Sequence, residues 1–289
     1  MLPETTPYSI ISQYLKTWPL SILRMKKNIN KDITLTVVIP VYNEQNRIHL
    51  AIDALNSYVP PKGIKIQKVV FANDGSDDKT LYILKNAKIQ YPTEIMTYNK
   101  NRGRGFVVKM GMKNITTDYA MYLDSDMSIP LENLKNLAKE MKKGTDVIAG
   151  SKKIRGTICT HKRSLIREIV GWGHSAIFSA ILGLWMFDFQ GGFKIFSKRV
   201  VQNVFPKLRM ERWGMDAEVI FLADKMGYSI KELPIKWGHV GQGTKVDLVR
   251  DIYRGIKDVL TIRSNYTTAK YMPVEYQEQT IPTIKYLML

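Results

Sequence analysis

The sequence predicts an α/β protein with a Rossmann-like, doubly wound and mainly parallel sheet, and two observations carry that prediction. From Asp32 onward, short apolar runs alternate with segments of helical periodicity, the pattern of βα units whose crossovers return the chain to a parallel neighbour. Each run is followed by a polar, turn-forming cluster, and in open sheets of this kind ligands bind beyond the carboxyl ends of the strands. No internal repeat, low-complexity tract or long linker breaks the pattern. The 289 residues therefore read as one main domain, 32–240, between an N-terminal segment, 1–31, and a C-terminal segment, 241–289.

The elements follow in order. Leu35 to Ile39 reads as a buried strand and Arg47 to Tyr58 as a helix; Val69 to Phe71 is a second strand and Leu81 to Ile89 a second helix. Ile95 to Tyr98 is short and extended, Phe106 to Ile115 helical, Tyr119 to Leu123 a strand, Leu131 to Met141 a helix, and Val147 to Ala149 a strand. Leu248 to Ile262 is an amphipathic basic helix, and Ser264 to Leu289 reads as an extended surface arm or a partly disordered tail. The polar clusters are Tyr42 to Glu44, Asn73 to Asp77, Asn101 to Gly105, and Asp124 to Asp126, one after each of four strands.

Forty-three Lys and Arg against 26 Asp and Glu leave a net charge of +17, which favours nucleic acid, anionic headgroups or phosphorylated substrates without choosing among them. A single cysteine, Cys159, excludes an intrachain disulfide and points to the cytosolic side. The four histidines, His49, His161, His174 and His239, lack paired ligand spacing, so no zinc site is expected. The N-terminus lacks signal-peptide order. Its apolar residues between Tyr8 and Met25, broken by Pro19 and closed by cations, suit a helix lying on a membrane or on the protein's own surface. Ile169 to Phe187 is 19 residues without a formal charge. A single crossing there would separate two parts of one site, so the segment 165–187 is read as a membrane-interfacial helix or hairpin, with a buried core helix as the alternative.

The polar clusters carry the chemistry. Asp124 and Asp126 stand two apart at a strand end, so their side chains point the same way and two hard oxygen donors can share Mg²⁺ or Mn²⁺. Such an ion offsets charge on a departing diphosphate. Asp74, after an apolar strand and before Gly75, is placed to accept hydrogen bonds from a nucleoside, while Asp77 is placed to cap the next helix. Gly103 and Gly105 with Arg102 and Arg104 form a basic loop opening a helix, where phosphate can meet backbone N–H groups or the loop can simply be solvated. Its spacing to Gly111 does not fit the dinucleotide fingerprint.

Six motifs then occur in family order: Ile39 to Arg47, Asn73 to Thr80, Asn101 to Gly105, Asp124 to Ser128, Asp188 to Lys194, and Glu211 to Glu218. Together, over Thr34 to Tyr266, they resemble the inverting glycosyltransferases of GT-A fold that load polyprenyl phosphates. The resemblance is nearest to dolichyl-phosphate β-glucosyltransferases, with dolichyl-phosphate mannose synthases more distant. It implies that Pro40, Tyr42, Glu44 and Asp74 contact the nucleoside and that Arg104 lies near the donor. Asp124 and Asp126 hold metal and diphosphate, and Gln190, Arg212 and Asp216 belong to motifs closing the sugar and acceptor side. Three departures stand out: Asn73 in place of Asp, Gly191 in place of Cys, and Lys152 where Arg is usual.

On this reading the partners are a nucleotide sugar, UDP-glucose by resemblance, and dolichyl or polyprenyl phosphate, at a peripheral position on a cytosol-facing membrane, with no nucleic acid. The phosphate acceptor is already largely anionic at neutral pH, its second pKa being near ~6, so no strong base is needed. Lys152, Lys153, Arg155, Arg163 and Arg167, between the core and the apolar segment, are the candidates for holding it. Asp216 is the candidate base if the acceptor is instead a neutral hydroxyl. The competing expectations are a GDP-mannose donor, a glycolipid or saccharide hydroxyl acceptor, and a non-enzymatic basic protein.

Overall fold

The computed structural model describes residues 31–160, 165–238, 248–271 and 284–289. The apolar segment 8–25, Arg163, His161 and His239 lie outside the described residues, as does the side chain of Arg167.

The chain runs β1 (Ile33–Val41), α1 (Ile48–Ser57), β2 (Ile64–Asn73), α2 (Thr80–Asn86), β3 (Thr93–Thr97), α3 (Arg104–Gly111), β4 (Tyr119–Leu123), α4 (Leu134–Lys143) and β5 (Val147–Ser151). It continues through β6 (Ile158–Cys159), α5 (Leu165–Leu182), β7 (Phe193–Ser197), α6 (Lys198–Asn203), α7 (Met215–Lys225), β8 (Ile230–Pro234), β9 (Lys236–Trp237), α8 (Leu248–Thr267) and β10 (Lys285–Met288). β1 is apolar along its whole middle because it is central: Leu35, Val37, Val38 and Ile39 are fully buried, so both faces lie under cover. α1 buries Ile48, Ala51 and Leu55, one stripe at helical spacing. α4 begins from a 3₁₀ turn at Leu131–Asn133 and stops at Gly144, whose φ of 86° supplies the left-handed cap.

Among the described residues eight strands form one sheet in the order β10-β3-β2-β1-β4-β7-β5-β8, and β6 and β9 form a two-stranded ribbon. β1 pairs in parallel with both β2 and β4, so the connections leave it in opposite directions across the sheet. That divergence opens a crevice at the carboxyl ends of β1 and β4, the place where open α/β sheets bind ligands. The polar clusters predicted after β1, β2, β3 and β4 follow the carboxyl ends of these strands.

Three strands of the eight-stranded sheet escaped the periodicity reading, as did the two-residue strands β6 and β9. β7 runs antiparallel between β4 and β5, β8 pairs in parallel with β5, and β10 pairs antiparallel with β3. The tail expected to be an arm or disordered thus ends as a sheet strand, because β3 offers an open edge that a short segment of any composition able to extend can cover. The basic helix near the C-terminus runs on to Thr267.

α5 starts earlier than the uncharged window and ends at Gly183, at φ +64°. One of its faces buries Ser175, Phe178, Ser179 and Leu182, whereas Ile169, Trp172 and Ile177 are exposed, as is Trp185 just beyond it. Among the described residues no helix is long and apolar enough to cross a membrane. α5 meets α8 where a glycine permits it: a Cβ on Gly255 would sit 2.6 Å from Nε2 of His174. His174 also stacks on Phe178, with centroids 4.0 Å apart.

Burial, aided by the Lys153 ammonium nearby, pushes the His174 imidazole down to about 4, against about 6.5 in an unfolded chain. The unfolded state therefore binds a proton that the folded state refuses. Stability contributed by neutral His174 is complete above about pH 6.5 and declines as pH falls toward about 4. Thermal melts between pH 7 and 4 should show His174→Gln losing less stability over that window than the parent chain; an equal loss in both would contradict the assignment.

Candidate active site

The loop after β1 is built against the loop after β2. Asn43 takes the left-handed region at φ 53°, donates its backbone N–H to Ser76 Oγ at 3.0 Å, and accepts from Asp77 N at 3.0 Å. Glu44 N donates to Thr80 Oγ1 at 2.7 Å. The carboxylate that takes the first backbone N–H of α2 is Asp78 and not Asp77: Asp78 Oδ1 accepts from Thr80 N at 2.8 Å while its Oδ2 takes Gln45 N at 3.0 Å. The pairing of the two loops, which spacing does not reveal, selects Asp78 in place of Asp77. Tyr42 projects from this platform, 45% exposed, and Pro40 precedes it at the end of β1.

Asp74 is buried and its two oxygens accept four hydrogen bonds. Tyr98 Oη (2.5 Å) and Arg102 N (2.8 Å) meet Oδ1, and Asn101 Nδ2 (2.8 Å) and Gly103 N (2.8 Å) meet Oδ2. The carboxylate predicted to touch a nucleoside thus spends its bonding capacity on shaping the loop 101–103. Asn73, the departure from the usual Asp, donates to Thr97 Oγ1 at 2.9 Å and accepts from Ser76 Oγ at 2.6 Å. The basic loop then lies against residues 210–213. A Cβ on Gly103 would fall 2.7 Å from Glu211 O, and one on Gly105 would fall 2.5 Å from Met210 O. Arg102 is ion-paired with Glu211 and stacked 4.1 Å over Phe106.

Arg104 occupies the centre. Its guanidinium donates to Asp124 Oδ1 at 2.9 Å on one side and to Asp216 Oδ2 at 2.8 Å on the other, and stacks between Tyr122 and Trp213. Asp216, fully buried in the first turn of α7, also receives Lys194 Nζ at 3.1 Å and the Tyr122 hydroxyl. Burial by itself raises this carboxyl, but Arg104 and then Lys194 outweigh it and hold Asp216 below the usual Asp value. Asp216 is therefore a counter-ion. A general base needs an oxygen open to its substrate and a pKa near neutrality, and this group has neither.

β4 stops at Leu123, so Asp124 and Asp126 lie not in the extended geometry expected from their spacing but in the turn that follows, where Met127 N donates to Asp124 O at 3.2 Å and Asp126 Oδ1 accepts from Ser128 N at 3.0 Å. Glu44 closes this side: Arg47 grips both its oxygens at 2.7 and 2.8 Å, and burial, with a smaller push from Asp126, raises its carboxyl above the ordinary range. Among the described residues no group of three or more His, Cys, Asp or Glu side chains gathers as a metal cage. Two carboxylates with open coordination positions fit a hard divalent ion whose remaining ligands come from a diphosphate and water.

The acceptor-side candidates are less tightly assembled. Lys152 donates its backbone N–H to Asp188 Oδ2 at 2.9 Å and sets its ammonium 5.1 Å from the centre of the Trp237 ring; Lys153 Nζ donates to Gly171 O at 2.6 Å and Ser175 Oγ at 2.5 Å, tying α5 to the end of β5. Arg155 and Arg212 are exposed, and Gln190 is half-buried beside the two glycines leading into β7. Gly191 cannot carry the cysteine of the resembled family without movement, since its Cβ would meet Gly150 O at 2.5 Å. Lys194 entered the sequence reading only as the last residue of the Asp188 to Lys194 motif, and Tyr122 only as part of a strand. A lysine inside the apolar run Phe193 to Phe196 was the available signal for the first; Tyr122 offered none.

Gly192 seats Asp124, because a Cβ there would overlap Oδ2 at 2.0 Å. Gly192→Ala is expected to fold with a loss of about 1–3 kcal/mol in denaturant melts. Calorimetric titration should show it losing joint binding of Mn²⁺ and a nucleoside diphosphate, whereas parental affinity would contradict this role for Gly192.

A family model described as Glycosyl transferase family 2 matches residues 36–205. The chain is 32% identical over 262 residues to a Saccharomyces cerevisiae protein named dolichyl-phosphate beta-glucosyltransferase, covering 84% of this chain and 78% of that one. A Dictyostelium discoideum protein of the same name is 27% identical over 252 residues, covering 83% and 77%. Among solved structures, the glucosyl-3-phosphoglycerate synthase of Mycobacterium tuberculosis, in complex with Mn²⁺, UDP and glucosyl-3-phosphoglycerate, has a TM-score of 0.57 at 15% identity, covering 91% of this chain and 86% of that one. That likeness is one of fold, the mixed α/β GT-A arrangement described above. With the family model spanning more than half its length and the ordered loops at the switch point, the chain belongs to glycosyl transferase family 2.

Proposed function

We propose that this chain transfers a hexose, glucose from UDP-glucose, to dolichyl or another polyprenyl phosphate, with inversion at the sugar. The observation that carries the reading is the carboxylate pair Asp124 and Asp126 at the switch point, with Arg104 bridging Asp124 to buried Asp216. The names of the yeast and Dictyostelium relatives supply the sugar and the lipid. Tyr42, on the exposed platform after β1, is assigned to the nucleoside with Pro40 and Glu44, while Asp74 serves it through the loop it holds.

Asp124 and Asp126 would hold Mg²⁺ or Mn²⁺, which when bound supplies charge neutralisation for the departing diphosphate. Arg104 adds a fixed positive charge beside Asp124, prepaid by its pairing with Asp216 and so needing no reorganisation. An acceptor phosphate arrives as an anion, so the chain needs cations and alignment and no base. The counter-ion role of Asp216 supports this over a neutral hydroxyl acceptor, which would need a base. Lys152, Arg155 and Arg212, with Arg163 and Arg167, are assigned to the acceptor phosphate.

The lipid side is assigned to α5 and α8. Exposed Ile169, Trp172, Ile177 and Trp185 on or next to the first, with Tyr253 and Leu260 beside Arg254 and Lys257 on the second, suit an interfacial position on an anionic, cytosol-facing membrane.

The test incubates the protein and Mg²⁺ or Mn²⁺ with labelled UDP-glucose, GDP-mannose and other nucleotide sugars, plus dolichyl phosphate, and counts label in the organic phase. Glucose transfer from UDP-glucose is expected; label from GDP-mannose alone would reassign the donor, and transfer only to soluble acceptors would end the lipid-phosphate reading. Asp126→Asn should lower the rate at least about 100-fold, about 2.7 kcal/mol of barrier, with an unchanged melting curve.

A further inference from the structure

We infer that Lys194 is a positioning residue for Asp124, one buried ammonium that fixes both oxygens of that carboxylate by two separate routes. The inference rests on the donor-site reading above and assigns a residue that reading does not use.

Lys194 is fully buried on β7, which is rare for a lysine and requires paired partners. The first route is electrostatic. Lys194 Nζ donates to Asp216 Oδ1 at 3.1 Å, the other oxygen of Asp216 holds Arg104 at 2.8 Å, and Arg104 holds Asp124 Oδ1 at 2.9 Å. Charges alternate along this line, from the core to an Asp124 side chain that is 32% exposed. The second route is steric. The same Nζ donates to Gly191 O at 2.5 Å, drawing down the turn that precedes β7. The next residue, Gly192, lies so close to Asp124 that a Cβ there would stand 2.0 Å from Oδ2. One oxygen is thus set by a guanidinium and the other by a backbone wall, and both end on Lys194.

Packing alone does not require the charge. The Nζ lies 5.7 Å from the Tyr122 ring centre, a site an uncharged chain of equal length would fill. Lys194→Met keeps the volume but removes the tie to Gly191 and leaves Asp216 with one cation in place of two. Lys194→Met/Asp216→Asn restores charge balance in the core while leaving both routes to Asp124 cut.

The experiment compares parent, Lys194→Met, Lys194→Met/Asp216→Asn and Gly192→Ala by ligand-free crystal structure, thermal melt, and calorimetric titration of UDP with Mn²⁺. Lys194→Met should shift the Asp124 carboxylate from Arg104 and weaken UDP–Mn²⁺ binding at least tenfold. The double variant should regain melting temperature relative to Lys194→Met without regaining binding. Stability and binding recovering together would overturn the proposal in favour of a merely structural lysine, as would an Asp124 unmoved in the crystal structure of Lys194→Met. A parent chain that binds no UDP with Mn²⁺ would end the donor-site reading, while the Asp124 position in the ligand-free variants still decides this one.

Discussion

The arrangement depends on one buried carboxylate. Asp216 has no exposure to water, and an isolated charge in that position would be expelled or neutralised. It persists because Arg104 comes from the start of α3, Lys194 from β7 and Tyr122 from β4, so three elements distant in sequence must meet at one atom pair. Removing one partner of such a group commonly costs about 3–5 kcal/mol, because the remaining charge stays buried without compensation. β7, antiparallel between β4 and β5, sets Lys194 opposite Tyr122 in register, and both reach Oδ1 of Asp216 while Arg104 holds Oδ2.

Three further carboxylates, Asp74 and Glu218 buried and Glu232 half-buried, collect backbone N–H groups from irregular segments. Asp74 collects the backbone N–H groups of Arg102 and Gly103, Glu232 those of Phe187 and Asp188, and Glu218 those of Arg209 and Met210 together with the Tyr271 hydroxyl. Loops have no ladder to satisfy their N–H groups, and a carboxylate accepts several at once. Burial raises the Glu218 carboxyl even so, with Tyr271 and the two amides pulling the other way. These irregular loops therefore have backbone donors satisfied by side chains of the fold itself.

Much of this was legible in the chain. Parallel strands announce themselves as apolar runs because both faces are covered, so β1 through β5 and the polar loops after the first four could be placed by pattern alone. The strands that were missed owe their state to tertiary pairing: β7 hides a lysine in its run, β8 is partly exposed at an edge, β10 has only four residues, and β6 and β9 have two each. Residue types in the site were legible and their partners were not. Asp216 was a candidate base for a neutral hydroxyl acceptor, and Asp74 a nucleoside contact, because spacing reveals what a group is without revealing what surrounds it. Depth and neighbours turned one into a counter-ion and the other into a loop anchor.

A crystal structure of the chain with UDP and Mn²⁺ tests the central claim most directly. The account predicts the ion in contact with Asp124 or Asp126 and with the diphosphate, Tyr42 beside the nucleoside, and Arg104 still joined to Asp216. A diphosphate bound away from the end of β4, or an Arg104 that abandons Asp216 to reach it, would contradict the view that a buried charge line presets the donor site.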